Sequence, residues 1–237
     1  MRRAAALALA ALALTGCETT AQQSAKLERA AKLQARNRRR AQQALTVTRQ
    51  SAKVHVSSTA VLHGSEGSAA VVTLHNISGT ALRDLPIQIT VEDAAGASVY
   101  TNAVPGLASS LVSVALVPAH ATVTWIDDQV QAAGTPARVS AKVGEGQPAA
   151  GAIPQIAVQG AHLSEGEVEG SVVNRSRVSQ RELIVDVLVR HGSAIRAAGR
   201  AVVPQAEAGS STHFQAFLIG DARGGQLQAS APATSAG

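Results

Sequence analysis

Two stretches of this chain carry an apolar residue at every second position. Leu85, Ile87, Ile89 and Val91 form the first, and Leu183, Val185, Val187 and Val189 the second. That period sends successive side chains to opposite faces of an extended backbone, so both stretches predict half-buried strands and exclude amphipathic helices. Shorter alternating runs surround the first stretch: Val54 and Val56, Val72 and Leu74, then 97–103, 111–117, 122–127 and 137–143. Turn signals separate most of them, at Ser78-Gly79, Ala95-Gly96, Pro105-Gly106, Pro118 and Gly134-Thr135-Pro136. About seven short strands at such spacing predict an antiparallel sandwich.

The pattern occurs twice. Asn76-Ile77-Ser78 aligns with Asn174-Arg175-Ser176, and without a gap the two long alternating runs then superpose. Pro118 to Trp125 resembles Ala208 to Phe214, and Val139 falls on Leu227. The offset shrinks along the alignment, so the second copy has shorter loops. Two tandem copies of one β unit follow. The Asn-Xaa-Ser triplets could be read as glycosylation sequons. The local reading is that Asn and Ser side chains bond nearby backbone and start the turn that ends a strand.

Composition fixes what can hold these units. Cys17 is the only cysteine, so no intramolecular disulfide can form, and aromatics are 2% of the 237 residues. The cores must be Val, Ile, Leu and Ala. The net charge of +5 is unevenly placed. Residues 18–50 carry eight cations against Glu18 and Glu28, whereas residues from 51 onward carry 11 cations against 14 carboxylates. The strand-rich part is therefore mildly acidic and gives no reason to expect nucleic acid.

Residues 18–44 are rich in helix formers and hold no Gly or Pro, which predicts a helix. At helical spacing Lys26, Arg29, Lys32, Arg36, Arg39 and Arg40 share one stripe, opposite Leu27, Ala30, Ala31, Ala41 and Leu45. The stripe is a candidate surface for anionic lipid or wall polymer; a solvated tether is the simpler reading. Upstream, Arg2 and Arg3 precede an apolar run from Ala4 to Leu14, the pattern of a secretory signal peptide. Leu14-Thr15-Gly16-Cys17 at its end resembles the lipobox of bacterial lipoproteins. The resemblance implies Leu14, Thr15 and Gly16 as recognition residues, cleavage before Cys17, and Cys17 as the acylated first residue of the mature chain.

Candidate chemistry is sparse. The seven histidines form no close i,i+2 or i,i+4 pair, and no second cysteine is present for a thiolate site. His55 and His63 have the same strand parity. Asp127-Asp128 and Glu165, Glu167, Glu169 are carboxylate clusters in which nothing selects a catalytic pair. His75, Ser78 and Asp84 could be written as a triad, but no nucleophile elbow supports it. Trp125, matched by Phe214, reads as a core residue rather than a ligand platform. No catalytic residue, metal site or cofactor is expected.

The strand ending in Asn-Xaa-Ser, the run from Ile87 to Gly96 and the strand leading to Trp125 resemble FxLYD-type domains, small immunoglobulin-like sandwiches of bacterial lipoproteins. The second copy offers Val185 to Gly192 and Phe214. The namesake Phe and Tyr are replaced by aliphatic residues such as Ile87 and Val91. The resemblance implies binding or scaffolding. The expected fold is all-β: two tandem immunoglobulin-like antiparallel sandwiches after a basic helical tether. The expected divisions are a signal peptide at 1–16, a lipid-anchored tether at 17–50, a first sandwich at 51–143, a Gly/Pro-rich linker at 144–154, a second sandwich at 155–231 and a disordered tail at 232–237. The expected function is that of a non-enzymatic interaction module held on the cell membrane through Cys17, facing the periplasm or the exterior. Its expected partner is another envelope protein or a wall polymer.

Overall fold

The fold is all-β. Fifteen antiparallel strands occupy the described residues, which in this computed structural model are 45–164 and 166–235. The signal peptide, the lipobox with Cys17, the six basic candidates of the tether and Glu165 lie outside them.

In the first sandwich, β1 (Val54–Gly64), β2 (Gly67–Asn76) and β6 (Thr122–Val130) form one sheet in the order β1-β2-β6. The facing sheet is built on β3 (Leu82–Glu92), whose Leu85, Ile87, Ile89 and Val91 are buried. One side of β3 pairs with β4 (Ser98–Thr101) and then β5 (Ser113–Val117); the other pairs with β7 (Arg138–Val143) and then β8 (Gln147–Pro148). The aliphatic core between the sheets includes Trp125.

The second sandwich repeats the plan. β9 (Ile156–Ser164), β10 (Glu167–Asn174) and β13 (Ser211–Phe217) form one sheet. The other runs β14-β12-β11-β15, from β11 (Gln180–His191), β12 (Ala194–Ala206), β14 (Ile219–Gly220) and β15 (Gln226–Ser230). Leu183, Val185, Val187 and Val189 are buried. Trp125 stands opposite Val72 and Phe214 opposite Gly170, equivalent ladder positions in the two copies. Val139 opposite Val91 and Leu227 opposite Val189 are equivalent too.

The copies differ where the first has extra chain. β12 runs unbroken along β11, whereas its counterpart is split into β4 and β5. Asn102 fills the break: its side chain accepts from Ile89 N at 2.8 Å and donates to Ile87 O at 3.0 Å and Leu111 O at 2.7 Å. A single 3-10 turn, Ser109–Leu111, closes the excursion.

Several boundaries differ from the sequence expectation. Val47, assigned to the tether, is buried, and its N–H donates to Gln88 Oε1 at 2.9 Å. Gln50 bridges Gly144, so the first sandwich includes residues on both sides of its expected limits. The Gly/Pro-rich stretch contributes β8, where Pro148 can sit because it occupies a sheet edge. Residues 233–235 of the expected disordered tail pack: Thr234 N and Ser235 N donate to Gln180 Oε1, and Ala233 is buried. The common strand parity of His55 and His63 does not put them on one face, because a bulge at Ser57 shifts the register of β1. His55 instead pairs with His75, and His63 Nδ1 meets Ser68 Oγ at 2.8 Å.

The repeat extends to backbone strain. His120 has φ 55° and Gly209 φ 70° at equivalent positions before β6 and β13. Only glycine adopts that conformation without a Cβ penalty. His120→Gly is expected to be neutral or stabilising by up to about 1 kcal/mol, and Gly209→Ala to cost about 1 kcal/mol, both read from urea midpoints. The opposite ranking would remove the strain assigned to His120.

Candidate functional site

The two sandwiches meet through strand faces that an isolated sandwich would show to water. Val71 on β2 and Ile126 on β6 pack with Leu188 on β11 and Ala198 on β12, flanked by Ala60, Leu62 and Ile195. The described residues accordingly fall within one compact unit, Gln43–Gly237.

Charge is buried beside this apolar contact. β6 changes register opposite Ser68 and Ala70, and the consecutive residues Asp127 and Asp128 take different partners. Asp127 lies in the first core, where it accepts from Tyr100 Oη at 2.8 Å and from Gln129 N at 2.9 Å. Burial pushes its carboxyl upward against those hydrogen bonds, and burial beside Asp127 also raises the Tyr100 phenol. Asp128 reaches the second sandwich: Arg200 Nε on β12 donates to its Oδ1 at 2.8 Å. Arg200 Nη1 donates to Ser110 Oγ at 3.1 Å, and Ser110 O accepts from Trp125 Nε1 at 2.9 Å. β6 through Asp128 and the excursion between β4 and β5 through Ser110 thus supply the polar contacts that tie the first copy to the second.

Arg200 has an unsatisfied neighbour. Asp186 on β11 is its cross-strand partner in register, yet Asp186 Oδ1 is buried with no hydrogen-bond partner among the described residues. Desolvation pushes Asp186 up to about 8, opposed by Arg200 and reinforced by Asp128. An unfolded aspartate titrates near 4. Between about pH 4 and about pH 8 the native chain therefore binds the extra proton, and stability falls as pH rises through that window. Asp186→Asn is expected to flatten this part of a urea-midpoint profile and to be the more stable form at pH 8. Parallel profiles would refute the assignment.

Asp186, Arg200 and Ser110 line a cleft of about 440 Å³ between the sandwiches. Asp84 and Glu182 line it as well. They occupy equivalent repeat positions, immediately before Leu85 and Leu183, and both have positive φ, 55° and 49°. Strained non-glycine residues of this kind persist where surrounding structure holds them. Trp125 contributes to the cleft wall but is mostly buried in the first core, the role its match with Phe214 predicted.

The other residues singled out in the sequence lie apart in their bonding. His75 Nδ1 meets Thr122 Oγ1, Ser78 Oγ donates to Asn76 Oδ1, and Asp84 pairs with Arg83, so no triad assembles from them. Among the described residues no three His, Asp or Glu side chains converge as metal ligands. No described helix is long and apolar enough to cross a membrane. Arg200 and Asp186 escaped sequence reasoning. Their signal was present: from Leu183 to Val189 every residue but Asp186 is apolar, which marks a strand covered on both faces. No protein-family model matches the chain, and no curated protein matches it in sequence.

Proposed function

We propose that this is a lipid-anchored, non-catalytic binding protein of the cell envelope whose recognition site is the cleft between its two sandwiches. The observation that carries the reading is the cleft itself. One wall joins β5 and β6 to Ser109 and Ser110 of the excursion that only the first copy has, and the opposite wall comes from β11, Arg200 of β12 and the C-terminal residues Pro232, Thr234 and Ser235. Concave sites with a few convergent polar groups at domain junctions are the usual place for ligands. The lipobox-like Leu14-Thr15-Gly16-Cys17 supports the membrane location, and acyl chains on Cys17 would hold the site near the bilayer.

The two parts separate experimentally. Cys17→Ser should release the protein from the membrane fraction; retention would sink the anchor. A photo-cross-linker at Ser113, in the cleft, should capture an envelope component that one at exposed Ser211 does not. Equal capture at both positions, or none, would overturn the cleft as recognition site.

A second reading rests on the segregation of charge. The basic stripe from Lys26 to Arg40 would bind anionic lipid or wall polymer, with the sandwiches as a spacer. Replacing Lys26, Arg29, Lys32, Arg36, Arg39 and Arg40 by Gln should then abolish salt-sensitive attachment to phosphatidylglycerol vesicles, and unchanged attachment would refute it.

A further inference from the structure

Charge bookkeeping in the cleft selects a class of ligand. Asp128 and Ser110 already occupy Arg200 Nε and Nη1. The pair Arg200–Asp128 is neutral and nearly enclosed, with side chains 4% and 19% exposed. Asp186 is then the third member of the cluster and has no counter-charge of its own. It is 5% exposed, lines the cleft, and keeps an orphaned carboxylate oxygen. A buried oxygen without a partner is costly relative to one that is satisfied, so a donor that reaches it contributes strongly to binding. The remaining charged groups of the cleft are Asp84, Glu182 and Arg181, and Arg83 pairs with Asp84. With Arg83–Asp84 and Arg200–Asp128 paired, Glu182 and Asp186 face one remaining cation, Arg181, so the cleft offers no surplus positive charge to an anionic ligand. Hydroxyls from Ser109, Ser113 and Thr124 and the apolar sides of Val114, Leu116 and Ile126 offer a mixed wall for an uncharged body.

We propose that the cleft binds a small molecule through a primary ammonium group, which donates to Asp186 and becomes the counter-charge of its carboxylate. This rests on the cleft being the recognition site. An amino sugar and the side chain or terminus of a peptide share that chemistry. At neutral pH binding displaces the proton Asp186 carries, so one proton leaves as the ammonium enters. Arg200 and Asp128 face Asp186 from β12 and β6, and Arg181, Glu182 and Asp84 stand around the cleft.

The test is titration calorimetry of the full-length protein with glucosamine and with lysinamide, each against its N-acetylated form (at both amines for lysinamide). At least one amine should bind, its acetylated form at least tenfold more weakly, and Asp186→Asn should weaken the amine at least tenfold. Heats measured in buffers of different ionisation enthalpy should report proton release near pH 7. Whichever amine binds distinguishes the sugar source from the peptide source. Failure of both amines at millimolar concentration, equal binding of the acetylated forms, or full binding by Asp186→Asn would overturn the proposal. The comparison with acetylated forms uses the unaltered protein and does not depend on how the variant folds. If the amines fail while a cross-linker at Ser113 still captures its component selectively, the ligand class is wrong and the cleft stands. If that selectivity is absent, the cleft reading falls by itself.

Discussion

Arg200→Ala lowers the stability of the joined sandwiches by about 3 kcal/mol at pH 7, the magnitude expected when one partner of a buried ion pair is removed. The loss has three physical parts. Asp128 keeps its charge at a site 19% exposed and loses the guanidinium that met it at 2.8 Å. Ser110 loses its donor at 3.1 Å, which loosens the 3-10 turn whose carbonyl holds Trp125. The long Arg stem leaves a void beside Asp186 in the cleft. Asp128→Asn on the Arg200→Ala background should recover part of the loss, because the orphaned charge is then gone. Arg200→Lys should recover little: one ammonium cannot reproduce the two fixed N–H directions taken by Asp128 and Ser110. Urea midpoints at constant m-value measure all three variants. A cost below about 0.5 kcal/mol for Arg200→Ala would mean the contact behaves like an exposed surface pair, and the described junction would be wrong.

The same cluster shows where reading the sequence stops. Strand identity is local: the parity of Leu85 to Val91 decides which side chains enter the core, and no distant residue is needed to see it. The repeat adds long-range information of one kind, since equivalent residues occupy equivalent ladder positions, as Trp125 and Phe214 or Val139 and Leu227 do. Packing of one copy against the other breaks that symmetry. Arg200 meets Asp128 and Ser110, 72 and 90 residues away, and neither contact has a counterpart in the repeat. A charged residue at the polar phase of a strand looks the same whether that face meets water or another sheet. The bulge in β1 was equally invisible, because one inserted residue changes the face of every later side chain without changing composition. Asn-Xaa-Ser was legible because its turn-forming bonds close within four residues, whereas the reach of Asn76 to Val117 O and Pro118 O and of Asn174 to Ala206 O was not.

Those two turns carry the other large effect. Asn76→Ala is expected to cost about 3 kcal/mol or more, since several buried partners lose their hydrogen bonds together. Asn76 is fully buried. Its Nδ2 donates to Thr80 O at 2.9 Å, Pro118 O at 3.0 Å and Val117 O at 3.3 Å, while its Oδ1 accepts from Ser78 N and Ser78 Oγ. One side chain therefore joins the end of β2, the turn into β3 and the exit of β5. Asn174 repeats this with Val178 O at 2.9 Å, Ala206 O at 3.0 Å and both donors of Ser176. Asn76→Asp should be no better at pH 7, because a carboxylate would face the carbonyl oxygens that now receive N–H groups. Ser78→Ala keeps the amide in place and should cost only about 1 kcal/mol. The pair also tests how the two sandwiches cohere. With Arg200 and the Val71–Ile126–Leu188–Ala198 contact joining them, Asn76→Ala and Asn174→Ala should each shift one common unfolding transition by similar amounts. Two separated transitions, each moved by only one of the variants, would show that the sandwiches unfold independently and that their shared face contributes little to stability.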